Sequence, residues 1–273
     1  MQIFDFNVHF PCSLQNSVNE TIKDENTLSL QDLHSCYSYH FDTFKNNIQA
    51  ANFMLFNQNI FFEADLTDFI QTIKYDFKNS LITALIDFRK HNALQYIDKA
   101  IAEGIDCIKF HSYNQNISEA DFTEIVKICQ YAEAKGVMIC IDTSYGTSKM
   151  FVYDNLKLAC FIADFVTKIP IVLLHSGGKR VIEAMLLADD KKNIFLDTSF
   201  SLPYYLNSSI ETDFAYVYRK IGSKRVLYGS DAPYVNIHKN IETTIAFLEK
   251  HRFSQQEIED ILFHNAQNLK SWL

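Results

Sequence analysis

Several polar side chains stand at the ends of short apolar runs in this sequence. Asn7 and His9 are two residues apart, and Lys109 and His111 repeat that spacing. Because side chains alternate along a β-strand, residues two apart share one face. If these faces meet at one end of a sheet, the groups there converge with Asp142, His175 and Asp231. Imidazole and carboxylate groups that converge in this way can bind a divalent metal ion.

Eight apolar, β-rich runs would position these residues. Most gaps between them contain one helical pattern, as in 66–77, 93–103, 119–135 and 155–167. Eight βα units in a chain of 273 residues predict an α/β fold, a (β/α)8 barrel of TIM type with parallel strands. The active site of such a barrel lies at the carboxyl ends of the strands. The predicted strands are Gln2–His9, Gln49–Phe56, Leu81–Asp87, Cys107–His111, Met138–Asp142, Ile171–His175, Ile194–Thr198 and Arg225–Asp231.

The helix predicted at Glu119–Lys135 shows how the local signals agree. Ser118 can cap its first turn, and Gly136 follows it and can take the positive φ that ends a helix.

The alternative architecture is an open doubly wound sheet, although no Gly-rich phosphate loop follows the first strand. We predict one domain over residues 1–273, a long loop at Cys12–Ser38 near the barrel mouth, and terminal helices at 254–273 on the outside.

Composition excludes some classes of protein. Apolar residues make up 48% of the chain and charged residues 21%, which allows a large core. The net charge of −8 and the lack of Lys/Arg clusters argue against a nucleic-acid partner. No apolar stretch is long enough for a membrane span, and the first residues, MQIFDFNVHFPC, do not resemble a signal peptide. Six scattered cysteines without a CxxC pair suit buried thiols in a reducing compartment. We therefore expect a cytoplasmic protein.

The motifs at the strand ends resemble those of the amidohydrolase superfamily, in particular its amidohydrolase-related branch. That branch contains metal-dependent hydrolases and non-oxidative decarboxylases. The resemblance runs nearly from end to end, and its most specific part is RVLYGSDAP, which is similar to the eighth-strand segment of the family. The other matching segments are FDFNVHF, IKFHS, GVMICIDTS, IVLLHSGG, NIFLDTS and ILFHNAQNLKSWL.

The resemblance implies roles for individual residues. His9 matches the second histidine of a His-x-His metal motif, and His175 matches a histidine that binds a second metal or orients the substrate. Asp231 matches the aspartate that contacts the metal and acts as general base. Asn7 and Asp142 stand where the family usually has histidines. Oxygen ligands favour harder ions, so the exchange either changes the preferred metal or weakens or abolishes metal binding.

The resulting expectation is hydrolysis of an ester, lactone or amide bond in a small molecule. One divalent ion, zinc, manganese or similar, would be held by His9, Asp142 and Asp231, with Asn7 and His175 as further possible ligands. Asp231 and His175 would be the catalytic residues. Lys109, His111 and Arg180 are candidate substrate contacts. Some of these residues also have a purely structural interpretation. Asp231 could be a turn aspartate, His175 and His111 could only hydrogen-bond their neighbours, and Arg180 could be a solvated residue at a helix end.

Two other functions remain open at this stage. The same scaffold supports a metal-assisted decarboxylase, and the exchanges at Asn7 and Asp142 also suit a catalytically inactive barrel that binds a small molecule. The loops that follow the strands would determine specificity, and they carry Tyr113, Tyr145, Phe200, Tyr204 and Tyr205. A homodimer is a further expectation, because barrels of this branch often form dimers or larger assemblies.

Overall fold

The computed structural model describes residues 1–10, 13–16, 19–22, 24–145 and 147–272 of the chain. Eight parallel strands form one sheet, and each strand pairs with its successor around the barrel. A separate antiparallel hairpin, β2 and β3, follows the first strand. The barrel strands are β1 (Phe4–Val8), β4 (Ala50–Leu55), β5 (Leu81–Leu85), β6 (Cys107–His111), β7 (Met138–Asp142), β8 (Ile171–Leu174), β9 (Ile194–Asp197) and β10 (Val226–Leu227), and the hairpin is β2 (Ser13–Asn16) and β3 (Asn19–Ile22).

The barrel closes where the chain after β10 runs beside β1. Asp231 N donates to Asn7 O at 2.9 Å, and His9 N donates to Ala232 O at 2.7 Å. The predicted (β/α)8 barrel is confirmed, although the regular part of its last strand is shorter than the predicted Arg225–Asp231. The irregular closure has a consequence for the site, because it brings Asp231 next to Asn7 and His9.

Helices cover the outside of the barrel between the strands. The helix predicted at Ala93–Glu103 is confirmed with the same bounds, and the one predicted at Glu119–Lys135 begins with a 3₁₀ turn at Glu119–Asp121. Ser118 and Asp121 form a capping box there, and Gly136 has the expected positive φ of 70°. The α-helices are α1 (Leu30–Asn47), α2 (Ile60–Glu63), α3 (Thr67–Asp76), α4 (Ala93–Glu103), α5 (Phe122–Ala134), α6 (Asn155–Ala163), α7 (Val181–Asp190), α8 (Ser201–Tyr204), α9 (Ser209–Ile221), α10 (Ile237–Lys250), α11 (Gln255–Glu259) and α12 (Asn265–Asn268).

The segment after β1 is more regular than the sequence suggests. It contains the β2–β3 hairpin and a 3₁₀ turn at Glu25–Thr27, and α1 begins at Leu30 behind a capping box of Ser29 and Asp32. The prediction of a single irregular loop over Cys12–Ser38 is therefore wrong for these parts. Ser29 with Asp32 three residues later is a helix-start signal, so the beginning of α1 could have been recognised. Cys12 lies outside the described residues.

Apolar side chains fill the interior of the barrel, and the polar side chains of the site follow them toward the carboxyl ends of the strands. On β6, Cys107 belongs to the interior cluster, and Lys109 and His111 follow on the same face. The C-terminal residues Phe263 and Leu269 pack into this cluster, and the ring of Phe263 lies 6.5 Å from that of Phe4. The sequence suggested terminal helices on the outside of the barrel. These contacts show that the C-terminal segment also packs against the amino-terminal end of the barrel interior.

The cysteines differ in part from the expectation of buried thiols. Cys107, Cys129 and Cys140 are free and buried, but the free thiol of Cys160 is exposed, and Cys36 on α1 is disulfide-bonded. The expectation is therefore wrong for Cys160 and Cys36. Within the described ranges, no helix combines the length and the apolar character that a membrane crossing requires.

Candidate active site

The end of β1 carries two residues of the site and turns them toward β10. The pairing register of β1 with β4 shifts between Asp5 and Val8, so the pairing of the two strands is irregular there. His9 Nε2 lies 3.1 Å from Asn7 Oδ1 and 3.4 Å from Asp231 Oδ1. Asn7 Nδ2 donates to Asp231 Oδ1 at 3.1 Å. Three side chains from opposite ends of the sequence thus form one compact cluster of polar atoms.

Glu25 completes this side of the site, and sequence analysis did not identify it. It lies in the 3₁₀ turn after β3, its side chain is buried, and its two carboxylate oxygens lie 3.2 Å and 3.0 Å from His9 Nδ1. Phe10 N also donates to it at 3.2 Å. Burial alone would lower the pKa of His9, but the charge of Glu25 and hydrogen bonds with Asp231 and Glu25 raise it to about 9. We call Asn7, His9, Glu25 and Asp231 the β1–β10 half.

Asp142 organises the opposite side of the site. Its Oδ2 lies 3.1 Å from His175 Nε2, 3.4 Å from His111 Nε2 and 3.6 Å from Lys109 Nζ. Burial opposes its ionisation, but the charges of His111, His175 and Lys109 and the hydrogen bond with His175 keep its pKa well below the ordinary value. We call Lys109, His111, Asp142 and His175 the β6–β8 half.

The two histidines of the β6–β8 half differ in their environment. Burial lowers the pKa of His111 to about 4, so this ring is neutral at pH 7. Burial also opposes protonation of His175, but the charge of Asp142 and its hydrogen bond outweigh this effect and raise the pKa of His175 to about 9. His175 Nδ1 lies 3.2 Å from Ser199 O, so both ring nitrogens face acceptors.

Lys109 is a buried cation beneath the site. Its side chain is 1% exposed, and its ammonium group lies 4.6 Å from the centre of the Phe56 ring. Among the described residues, no acceptor lies within hydrogen-bond distance of Nζ. Lys109 is not among the residues that line the pocket. The ammonium group therefore lies behind Asp142 and the Phe56 ring, and it acts on the pocket through its electric field and not by direct contact.

Backbone strain marks both halves of the site. His175 has a φ of 67° and Asp231 a φ of 66°, in the left-handed region that side chains other than glycine rarely occupy. The turn after His175 continues through Gly177, where φ is 82° and an added Cβ would lie 2.9 Å from Ala184 Cβ. This close approach explains why glycine stands there in the His-Ser-Gly-Gly segment.

The two halves face a single cavity of about 360 Å³ at the carboxyl end of the barrel. Its aromatic walls come from Phe56, Tyr113, Phe200 and Tyr234. A cavity with apolar walls and a few convergent polar groups is typical of a small-molecule site. The residues that line it are His9, Glu25, Phe56, His111, Tyr113, Asp142, Ser144, Thr147, His175, Phe200, Asp231 and Tyr234.

Arg180, the third residue predicted to contact substrate, lines a different groove. Its guanidinium group donates to Asp154 at 2.9 Å and to Glu183 at 2.8 Å, and it also bonds the Tyr145 hydroxyl. The groove lies along α6 and α7. These contacts join the segment after β7 to the start of α7. The predicted contact of Arg180 with a substrate stays a prediction.

The donor atoms of the β1–β10 half have the spacing of metal ligands. Ligand bonds of about 2.0–2.2 Å place neighbouring ligand atoms about 2.8–3.6 Å apart in octahedral or tetrahedral geometry. The distances from His9 Nε2 to Asn7 Oδ1, 3.1 Å, and to Asp231 Oδ1, 3.4 Å, lie in that range. A carboxylate on the other nitrogen of His9, here Glu25, is the usual support of a metal-binding histidine.

The β6–β8 half fits a metal ion less well. Both oxygens of Asp142 already have partners, because Oδ1 accepts from Ser144 N and Oγ and Oδ2 faces His175, His111 and Lys109. Across the described ranges, no three His, Cys, Asp or Glu side chains are grouped as a metal site. Asn7 would therefore be a necessary third ligand. The residues fit one cation with an amide among its ligands.

Known proteins place the fold in a family. Residues 89–269, more than half of the chain, match the family model described as amidohydrolase. No curated protein matches the chain. An uncharacterised TIM-barrel protein from Bordetella bronchiseptica is similar over 100% of this chain and 99% of its own, with 14% identity and a TM-score of 0.75.

Two further solved structures are similar at low identity. One is a probable 2-pyrone-4,6-dicarboxylic acid hydrolase from Acinetobacter baumannii with citric acid bound, with 14% identity, 99% and 100% coverage and a TM-score of 0.62. The other is a dihydroxybenzoic acid decarboxylase from Polaromonas with manganese and 2-nitroresorcinol bound, with 12% identity, 99% and 97% coverage and a TM-score of 0.64. The barrel and the match to the family model show that this chain belongs to the amidohydrolase family, whose members are hydrolases and decarboxylases.

Proposed function

We propose that the protein hydrolyses an ester, lactone or amide bond in a small molecule, with one divalent cation held by His9, Asn7 and Asp231. The observation that carries the proposal is the pair of oxygen atoms beside His9 Nε2 at the barrel mouth, with Asn7 Oδ1 at 3.1 Å and Asp231 Oδ1 at 3.4 Å. The manganese in the decarboxylase from Polaromonas supports a cation on this scaffold. The side chain of Asp231 remains 13% exposed, so it is open to the pocket.

When bound, the cation would polarise a carbonyl oxygen and make water a stronger nucleophile near neutral pH. Asp231 accepts the proton of the attacking water as general base. Burial opposes the ionisation of this carboxylate, but the hydrogen bond with His9 and the charges of His175, His9 and Lys109 keep its pKa below the ordinary value. The base is therefore ionised at neutral pH. Glu25 holds the His9 ring with Nε2 toward Asp231.

The β6–β8 half binds the substrate and stabilises negative charge. His175 is catalytic through its positive charge, which lies at the pocket wall where an oxyanion would develop. His111 lines the pocket as a neutral ring and contacts the substrate directly. The charge of Lys109 beneath Asp142 favours an anionic group on the substrate. The citric acid and 2-nitroresorcinol bound to the similar structures support a small-molecule ligand.

The test is metal binding and hydrolysis by the purified chain. After removal of metals with a chelator, the protein is titrated with manganese, zinc and cobalt, and then assayed with panels of aryl esters, lactones and anilides. We expect one bound ion per chain and hydrolysis of at least one panel member. His9→Ala/Asp231→Ala should lose both. A protein that binds none of the three ions would contradict the metal, and a loaded protein that hydrolyses no panel member would contradict the hydrolase.

A non-oxidative decarboxylase is the second candidate, and the aromatic walls favour it. Phe56, Phe200 and Tyr234 surround the cavity above the buried cation Lys109, which suits an aromatic carboxylic acid. Release of carbon dioxide from a panel of aromatic acids, without ester hydrolysis, would identify this activity. A protein that binds panel members and transforms none would instead be the inactive barrel that the exchanges at Asn7 and Asp142 also allow.

A further inference from the structure

A chain of hydrogen bonds links Tyr113 and Ser144 to Asp142 at one wall of the cavity. Tyr113 Oη lies 2.8 Å from Ser144 Oγ, and Ser144 Oγ lies 2.6 Å from Asp142 Oδ1. Tyr113 and Ser144 both line the cavity. Neither residue takes part in the hydrolysis described above. The direction of these hydrogen bonds determines what the wall offers to a ligand.

Asp142 sets the direction at its end of the chain. Its Oδ2 faces three nitrogen groups, those of His175, His111 and Lys109, and its Oδ1 accepts from Ser144 N at 3.0 Å. A carboxylate surrounded in this way acts as an acceptor at both oxygens. The hydroxyl of Ser144 therefore donates its single proton to Asp142 Oδ1.

The direction then passes on to Tyr113. Because the proton of Ser144 is engaged, Ser144 Oγ can only accept in its contact with Tyr113, and the Tyr113 hydroxyl must donate. The phenolic oxygen of Tyr113 is left with a lone pair and without a proton to give. A group that accepts at this point recognises a ligand that donates.

The positions of both residues are held from behind. Asn155 Nδ2 donates to Ser144 O at 2.8 Å, and Asn155 is fully buried. The ring of Tyr113 packs edge-on against His111, with 4.4 Å between the ring centroids. These contacts hold the backbone at Ser144 and the ring of Tyr113 in place at the wall.

We infer that Tyr113 and Ser144 form a specificity subsite that selects substrates with a hydrogen-bond donor, a hydroxyl or N–H group, on the part that enters the cavity. This inference rests on the proposed function only in calling the ligand a substrate. The subsite would disfavour a ligand with an ether or carbonyl oxygen at the same place, since two acceptors would then face each other.

The test compares phenol with fluorobenzene, which has nearly the same shape but no donor, by ligand-observed NMR titration up to millimolar concentrations. We expect phenol to bind the wild-type protein about tenfold more tightly, the value of one hydrogen bond. Tyr113→Phe should remove most of that preference. Tyr145→Phe, which removes a hydroxyl bonded to Arg180 outside the cavity lining, should retain it.

The outcomes separate this inference from the proposed function. Equal binding of the two probes to the wild type, no binding of phenol, or an unchanged preference in Tyr113→Phe would each overturn the subsite. A protein that hydrolyses esters but binds the two probes equally retains its proposed function and loses the subsite. A protein that shows the preference lost in Tyr113→Phe but hydrolyses nothing supports the subsite and overturns the hydrolase.

Discussion

The two halves of the site contain similar side chains but arrange them for different purposes. Each half has an aspartate beside at least one imidazole group. In the β1–β10 half, Asp231 faces one imidazole and one amide and remains 13% exposed. In the β6–β8 half, Asp142 is 4% exposed and is surrounded by two imidazoles, an ammonium group and Ser144. A carboxylate with few partners can take a proton or a cation, whereas one whose partners are complete serves as a structural anion.

The largest effect on activity is expected at the aspartate of the β1–β10 half. Asp231→Asn should lower kcat/KM by about 10²–10⁴-fold, since an amide cannot accept the proton of water. The variant should remain folded, because the amide can still accept from Asn7 and contact His9. Steady-state kinetics and thermal unfolding measure the two effects. Glu242→Gln, on the exposed side of α10, is the control that should change neither. An active Asp231→Asn enzyme would show that another group is the base.

Asp142→Asn should have its main effect on stability. Removing this charge leaves Lys109 and the His175 imidazolium buried without their counter-ion, which costs about 3–5 kcal/mol of the free energy of unfolding. Urea unfolding at neutral pH measures the loss. The double variant Lys109→Met/Asp142→Leu removes both charges and should recover part of the stability. If Asp142→Asn unfolds like the wild type, the β6–β8 half is not a coupled charge cluster.

Glu25→Gln should change only the affinity of the β1–β10 half for the cation. Loss of the carboxylate behind His9 should weaken binding of manganese or zinc by about 10–100-fold, as for other partners of metal-bound histidines. Calorimetric titration measures the affinity. Glu25→Asp should fall between the variant and the wild type, and Asn7→His, which adds an imidazole ligand, should raise the affinity for zinc. An unchanged affinity in Glu25→Gln would exclude His9 as a ligand.

Gly229→Ala should give the smallest effect, and on one half only. The added Cβ would lie 2.7 Å from Asp197 Oδ2 and 3.3 Å from Asn7 Cβ. Such overpacking costs about 1–3 kcal/mol of the free energy of unfolding and displaces Asn7. Urea unfolding measures the cost, and metal titration should show weaker binding. A stability equal to that of the wild type would mean that the backbone after β10 yields easily.

The sequence alone was sufficient for the barrel and for most of the polar residues at its mouth. Alternation within each apolar run places Lys109 on the same face as His111, and it places Asp142 at the end of β7, because both patterns depend only on strand geometry. The matches to the family's motifs came from the same strand ends. These signals are local, and a local signal survives without knowledge of the tertiary structure.

Only the tertiary structure decided how those residues divide into two halves. Whether a carboxylate is open to the pocket depends on what other strands bring to it, and this separates Asp231 from Asp142. The same reason explains why the sequence did not reveal Glu25. This residue lies 16 residues after His9, in a segment whose sequence has no regular apolar pattern, yet it contacts the His9 ring. Lys109, predicted as a substrate contact, lies beneath the pocket lining because the Phe56 ring and Asp142 pack around its ammonium group. The sequence determined most of the groups that reach the mouth of the barrel, and long-range packing determined the environment and hence the chemistry of each.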